Sequence, residues 1–274
     1  MGGCVMDTSY RQFFALTKEP FSADILRKDI MVTKALSAME ERIHYTIRMG
    51  AIALVTGEIG SGKSTSLRYV LGGLHPSEYR IIYVTASSGS ILELYRQILS
   101  ELATDFTSSS RTAMTKKIKQ EVLDLTHGKK MKVALIIDEA SLLRLEVFTE
   151  LHTLTQFEQD SKPYLPIILA GQVNLVDSLR YRNCLPLANR VVARSHLKGS
   201  DLETMEAYLR HHLAIVGVSR MIFDDAAVTA IQQGAGGLFR KANHLARGAI
   251  VAAAKNESNV VTAEHVRLAA TELL

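Results

Sequence analysis

Residues 51–64 read Ala51-Ile52-Ala53-Leu54-Val55-Thr56-Gly57-Glu58-Ile59-Gly60-Ser61-Gly62-Lys63-Ser64, an apolar run that ends in a complete G-x-x-x-x-G-K-S pattern. The apolar run reads as a buried strand, and Thr65-Ser66-Leu67-Arg68-Tyr69-Val70-Leu71 behind the pattern as the start of a helix. Glycines are required between the two because backbone N–H groups must close around phosphate oxygens without interference from a Cβ. The helix N-terminus adds its positive dipole, Lys63 reaches the β- and γ-phosphates, and the Ser64 hydroxyl can hold Mg²⁺. The expected cofactor-binding segment is therefore Gly57, Glu58, Ile59, Gly60, Ser61, Gly62, Lys63, Ser64 and Thr65, with ATP and Mg²⁺ as its ligands.

Outward from this segment, strands and helices alternate. Apolar residues at helical spacing over residues 30–49 lead into the first strand. Tyr79–Val84 reads as a second strand, Ile91–Leu102 as an amphipathic helix, 104–111 as a polar loop and Thr115–Leu125 as another helix. Lys132–Ile137 is a continuous apolar run, the signature of a parallel strand buried on both faces. A helix over Glu146–Asp160, a strand over Leu165–Ala170 and a short strand within 188–195 follow. This alternation predicts an α/β fold with a parallel central sheet. From Asp201 onward only helical patterns remain, broken near Gly217, at Gly234–Gly237 and at Asn256–Asn259. Three segments are expected: a lead-in over 1–22 packed on the core, an α/β nucleotide-binding domain over 23–199, and a smaller all-helical domain over 200–274.

At 47% apolar and 22% charged, the chain has the composition of a globular protein. Cys4 and Cys184 are far apart, with no C-x-x-C, which argues against a zinc site or disulfide scaffold and fits a reducing compartment. No apolar stretch approaches the roughly 18 residues of a membrane span, and no signal-peptide layout opens the chain. A cytoplasmic protein with no membrane partner is expected. The net charge of +4 and the pI near 9.0 are compatible with nucleic acid as a partner without establishing it.

Several further residues carry chemistry. The strand 132–137 runs into Asp138-Glu139, and carboxyl ends of parallel strands face the ligand. Asp138 suits Mg²⁺ through water, and Glu139 can orient or deprotonate an attacking water. Gln172, after Leu169-Ala170-Gly171, can contact the γ-phosphate or that water; the plain alternative is a turn residue. Arg190 and Arg194 flank a short apolar run, and one of them, Arg190 by preference, could reach a neighbouring subunit's ATP. For either, the plain alternative is a surface salt bridge. Arg240, in Gly236-Gly237-Leu238-Phe239-Arg240, could sense the γ-phosphate from the helical domain. Lys116, Lys117 and Lys119, with Lys129, Lys130 and Lys132, are candidate DNA phosphate contacts or simply solvated faces. His211 and His212 show no ligand geometry.

These residues, in this order, resemble the AAA+ superfamily, and more narrowly its ExeA-like group. The narrower likeness rests on Phe13-Phe14-x-Leu16, Pro20-Phe21, the phosphate loop, Asp138-Glu139-Ala140, Ala170-Gly171-Gln172 and Thr262-Ala263-Glu264-His265-Val266. The resemblance implies a Mg²⁺-dependent ATPase with a helical lid, ATP lying between the domains and between adjacent subunits. The group has secretion-pathway members, which continue into a membrane helix and a peptidoglycan-binding region, and stand-alone members similar to ATPases of transposable elements. The sequence ends at Leu274 after the lid, which favours the second kind. That reading implies a homo-oligomer, ring or filament, that assembles on duplex DNA, selects target DNA and stimulates a transposase. The alternative is an ATPase that remodels or assembles a protein complex without DNA.

Overall fold

The apolar run after Lys132 has no polar face to offer water, so it requires a neighbour on each side and cover above and below. A computed structural model, which describes residues 9–272, supplies both. Five strands form one parallel sheet: β1 (Ile52–Gly57), β2 (Tyr79–Thr85), β3 (Lys132–Asp138), β4 (Ile167–Gly171) and β5 (Val191–Leu197), in the order β2-β3-β4-β1-β5. β1 and β4 are buried throughout and β3 from Val133 onward. The edge strand β5 alternates instead, burying Ala193, Ser195 and Leu197 while Val192, Arg194 and His196 face out. This is the expected fold class.

The chain divides into two compact units. The first, Lys34–Gly57 with Lys63–Leu197, contains the sheet and the helices Lys34–Met49, Lys63–Leu71, Ile91–Glu101, Arg111–Leu123, Leu145–Leu154 and Asn174–Arg180. Its core includes Tyr95, Phe148, Ile98 and Ile118, all fully buried. Two elements differ from expectation. The helix expected over 146–160 ends at Leu154, and beyond it Glu158, Gln159 and Asp160 form a turn with left-handed φ angles of 46°, 59° and 68°. The helix Asn174–Arg180 is too short for periodicity to reveal.

The second unit comprises the segment ending at Thr33, Glu58–Gly62, and the chain from Lys198. Its longer helices are Leu202–Ile215, Asp225–Ala235, Phe239–Lys255 and Ala263–Thr271, with a short one at Ser9–Phe13. Their ends follow local chemistry. The Asp201 carboxylate accepts from the Thr204 N–H at 2.8 Å and that of Asp224 from the Ala227 N–H at 2.6 Å, satisfying otherwise orphaned donors. Gly236 closes Asp225–Ala235 in the left-handed conformation.

The lead-in was expected against the α/β core; instead Tyr10, Phe14, Leu16 and Phe21 belong to the helical unit's core. Phe21 is 1% exposed, stacks on His212 at 5.3 Å and meets Phe223 edge-on at 6.1 Å. The Arg247 guanidinium donates to the Phe21 carbonyl at 2.7 Å, and Tyr10 donates to Glu19 at 2.5 Å. The helical unit offers these side chains an apolar core, with His212 and Phe223 as ring partners for Phe21. Cys4 lies outside the described residues.

Candidate nucleotide site

In a parallel sheet the carboxyl ends of all strands share one edge. Ile137 of β3 is level with Leu169 of β4, and Gly171 of β4 with Thr56 of β1. Asp138-Glu139, Gly171-Gln172 and Gly57 therefore leave the sheet side by side, three chain segments far apart in sequence brought to one rim. Lys63 opens the helix Lys63–Leu71 directly after the phosphate loop. Its ammonium is buried and donates to the Gly57 carbonyl at 2.9 Å. Ser64 is exposed in the first turn, and Thr65 is half-buried beside it.

Asp138 is buried, and both its carboxylate oxygens are engaged. Oδ1 accepts from the Glu139 N–H at 2.9 Å, and Oδ2 accepts from the Tyr83 hydroxyl at 2.6 Å. Burial, followed by the bond to Asp138 and the negative charges of Asp138 and Glu139, pushes the Tyr83 hydroxyl well above its ordinary pKa, so it remains a donor. Glu139 is half-buried and takes a left-handed conformation, φ 52° and ψ 31°, unusual for a residue with a long side chain. The Gln172 N–H donates to Ser141 Oγ at 3.2 Å, so a residue just beyond the Asp-Glu pair fixes the turn that carries Gln172. Tyr83 carries no motif signature. Only the pairing of β2 with β3, with Thr85 level with Asp138, brings it into place.

Arg190 and Arg194 stand elsewhere. Val191 is level with Ile52, so Arg190 lies at the amino-terminal edge of the sheet. Five strand steps from the rim make roughly 17 Å. Its guanidinium meets both oxygens of Asp160 at 2.6 Å, and this bond holds the Asp160 carboxyl below its ordinary pKa. Arg194, level with Leu54, is exposed and has no hydrogen bond or ion pair among the described residues.

In the helical unit the segment Glu58–Gly62 meets the start of Phe239–Lys255. The Arg240 N–H donates to the Gly60 carbonyl at 3.2 Å. A Cβ on Gly60, whose φ is 86°, would stand 2.9 Å from the Cβ of Arg240, so only glycine fits there. The Arg240 guanidinium is exposed and has no partner among the described residues. Glu58 and Ile59 are exposed, whereas the Ser61 hydroxyl is buried without a hydrogen-bond partner among the described residues. An orphaned donor, left-handed glycines at 60 and 62, a buried lysine and an exposed serine fit an anionic phosphate and its cation.

The lysines separate by environment. Lys119 donates to the Gln156 carbonyl at 2.7 Å and lies over the Phe157 ring, Lys117 pairs with Glu121 at 2.7 Å, and Lys132 lies over Tyr79. Lys116, Lys129 and Lys130 are exposed and have no such partner among the described residues. His212 is a core residue whose pKa burial lowers to about 4. Among the described residues no group of acids, histidines or cysteines could hold a metal ion by itself, and no helix is long and apolar enough to cross a membrane.

Residues 47–179 match the family model described as an AAA domain. The chain is 30% identical over 267 residues to general secretion pathway protein A of Aeromonas hydrophila, an alignment covering 96% of this chain and 48% of that protein. The chain thus spans about half the length of the curated relative that it matches. Among solved structures it is similar to Cdc6p from Pyrobaculum aerophilum, with a TM-score of 0.67 at 15% identity over 96% of this chain and 71% of that one. It is similar also to the Aeropyrum pernix ORC1 protein in complex with DNA, with a TM-score of 0.67 at 18% identity over 92% of this chain and 68% of that one. The sheet order, the phosphate loop and the Asp-Glu rim thereby place this chain in the P-loop AAA+ fold, with residues 47–179 matching its AAA domain.

Proposed function

We propose that the protein is a Mg²⁺-dependent ATPase that assembles as a homo-oligomer on duplex DNA in the cytoplasm and regulates transposition, selecting target DNA and stimulating a transposase. The observation that carries the ATPase part is the single rim shared by Gly57, Asp138-Glu139 and Gln172. Lys63 and the backbone N–H groups of the loop bind the ATP phosphates, and Arg240 contacts the γ-phosphate. Ser64 and Asp138 would hold Mg²⁺, which neutralises charge on the phosphate oxygens. Glu139 takes the proton of a water whose oxygen bonds to the γ-phosphorus as the β–γ bridging bond breaks, and ADP leaves with the electron pair. Gln172 orients that water. Arg190 or Arg194 stabilises the transition state in the next subunit. Arg190 lies too far from its own rim to serve it and is engaged by Asp160, whereas the unengaged guanidinium of Arg194 supports the other choice.

DNA binding is supported by the basic pI, by exposed Lys116, Lys129 and Lys130, and by the fold shared with a protein solved on DNA. A second reading, an ATPase that assembles or remodels a protein complex, is favoured by the likeness to general secretion pathway protein A over 96% of this chain. Electrophoretic shift of duplex DNA with ATP, ADP or no nucleotide, at several salt concentrations, separates the two. Binding that requires ATP and falls steeply with salt is expected. No binding under any condition returns the protein to the second reading.

A further inference from the structure

The rim acid Asp138 has a partner that the phosphate-loop chemistry does not require: the Tyr83 hydroxyl, 2.6 Å from Oδ2. The pair is built by the sheet. β2 and β3 run parallel with Tyr83 level with Ile136 and Thr85 level with Asp138, so Tyr83 and Asp138 come from adjacent strands near the same rim. Tyr83 is half-buried and Asp138 is buried. Oδ1 already accepts from the backbone N–H of Glu139, so the two donors together fix the carboxylate's plane. A carboxylate with two fixed donors cannot spin about its Cβ–Cγ bond. The remaining lone pair on each oxygen is thereby held in a fixed direction.

We propose that Tyr83 is a positioning residue, whose hydroxyl orients Asp138 toward the hydrated Mg²⁺ of the bound nucleotide and so sets the affinity for that metal. The inference rests on the nucleotide-site reading above. Groups that hydrogen-bond a carboxylate serving a metal restrict its orientation, and their removal weakens metal binding by roughly 10- to 100-fold. Tyr83 itself touches neither metal nor nucleotide in this scheme. Its effect passes wholly through Asp138.

The test is binding of a fluorescent ATP analogue to wild-type protein and Tyr83→Phe, first without metal and then across a Mg²⁺ titration. Tyr83→Phe keeps the ring and its packing and removes only the hydroxyl, and thermal melting of both proteins checks that the fold is intact. The expected result is unchanged metal-free affinity with a Mg²⁺ midpoint raised about tenfold. Tyr83→Leu, which also removes the ring, should raise the midpoint at least as far. A purely structural tyrosine would alter melting and leave the midpoint in place, and that result overturns the proposal. A midpoint lowered by Tyr83→Phe also overturns it, because the hydroxyl would then compete with the metal. Wild-type protein that fails to bind the analogue overturns the nucleotide-site reading itself, together with the role drawn from it. An unmoved midpoint in a protein whose wild type responds to Mg²⁺ overturns the Tyr83 role alone.

Discussion

At the scale of the residue, the two acids at the rim differ in setting. Asp138 is buried with both oxygens engaged, whereas Glu139 is half-buried, one residue on, and turned by its left-handed backbone. Glu139→Gln keeps the shape and removes the basicity, so it should retain nucleotide binding and lose about 10²- to 10⁴-fold in phosphate release; hydrolysis at the wild-type rate would refute the base assignment. His212 gives a second expectation. Burial, with a smaller contribution from the His211 charge, holds its pKa at about 4, against 6.5 for an ordinary histidine. The unfolded chain therefore binds the proton first, between pH 6.5 and 4, and stability falls as pH drops through that window. The loss should reach about 3 kcal/mol at its lower end. Urea denaturation at pH 7 and pH 4.5 measures it, and His212→Leu should flatten the dependence.

At the scale of the element, the lead-in is part of the helical unit's core and not an appendage. Phe21 is held on one side by His212 and Phe223 and through its carbonyl by Arg247. Removing a buried ring of this size costs about 3–5 kcal/mol. Phe21→Ala should therefore destabilise the helical unit by that amount in chemical denaturation, with the loss read in the helical far-UV signal. A change below about 1 kcal/mol would mean that the lead-in contributes no core. The turn Glu158–Asp160 is another element with a role. Its left-handed residues carry the carboxylate that engages Arg190.

At the scale of the whole molecule, Arg190 stands about 17 Å along the sheet from the phosphate-loop rim and is paired with Asp160, so the role proposed for it concerns a neighbouring subunit's nucleotide. This gives a complementation test. Lys63→Ala protein should bind no nucleotide yet still offer Arg190, whereas Arg190→Ala protein should bind nucleotide and lack the arginine. Each alone should be inactive, and mixing them should restore a measurable fraction of the wild-type ATPase rate. No recovery on mixing, with recovery when Arg194→Ala replaces Arg190→Ala, would transfer the role to Arg194.

The sequence alone determined the sheet class, the phosphate loop and the Asp138-Glu139 pair. Each is local: a glycine pattern must follow a strand and open a helix, and an acid pair must end a buried strand for the chemistry to work. Gly60 was legible as a glycine of the loop, but its close approach to Arg240 was not, because 180 residues of chain separate them. The same holds for Tyr83, an ordinary strand residue until the β2–β3 register sets its hydroxyl against Asp138. It holds also for the pairing of Arg190 with Asp160, which needs both a left-handed turn and a strand start. It holds for the lead-in as well, because aromatic residues announce burial without naming their partner. Periodicity and motif spacing record what a residue requires of its neighbours along the chain. Which distant side chain satisfies a buried ring, a carboxylate or a guanidinium is decided only when the packing of strands and helices brings the two together.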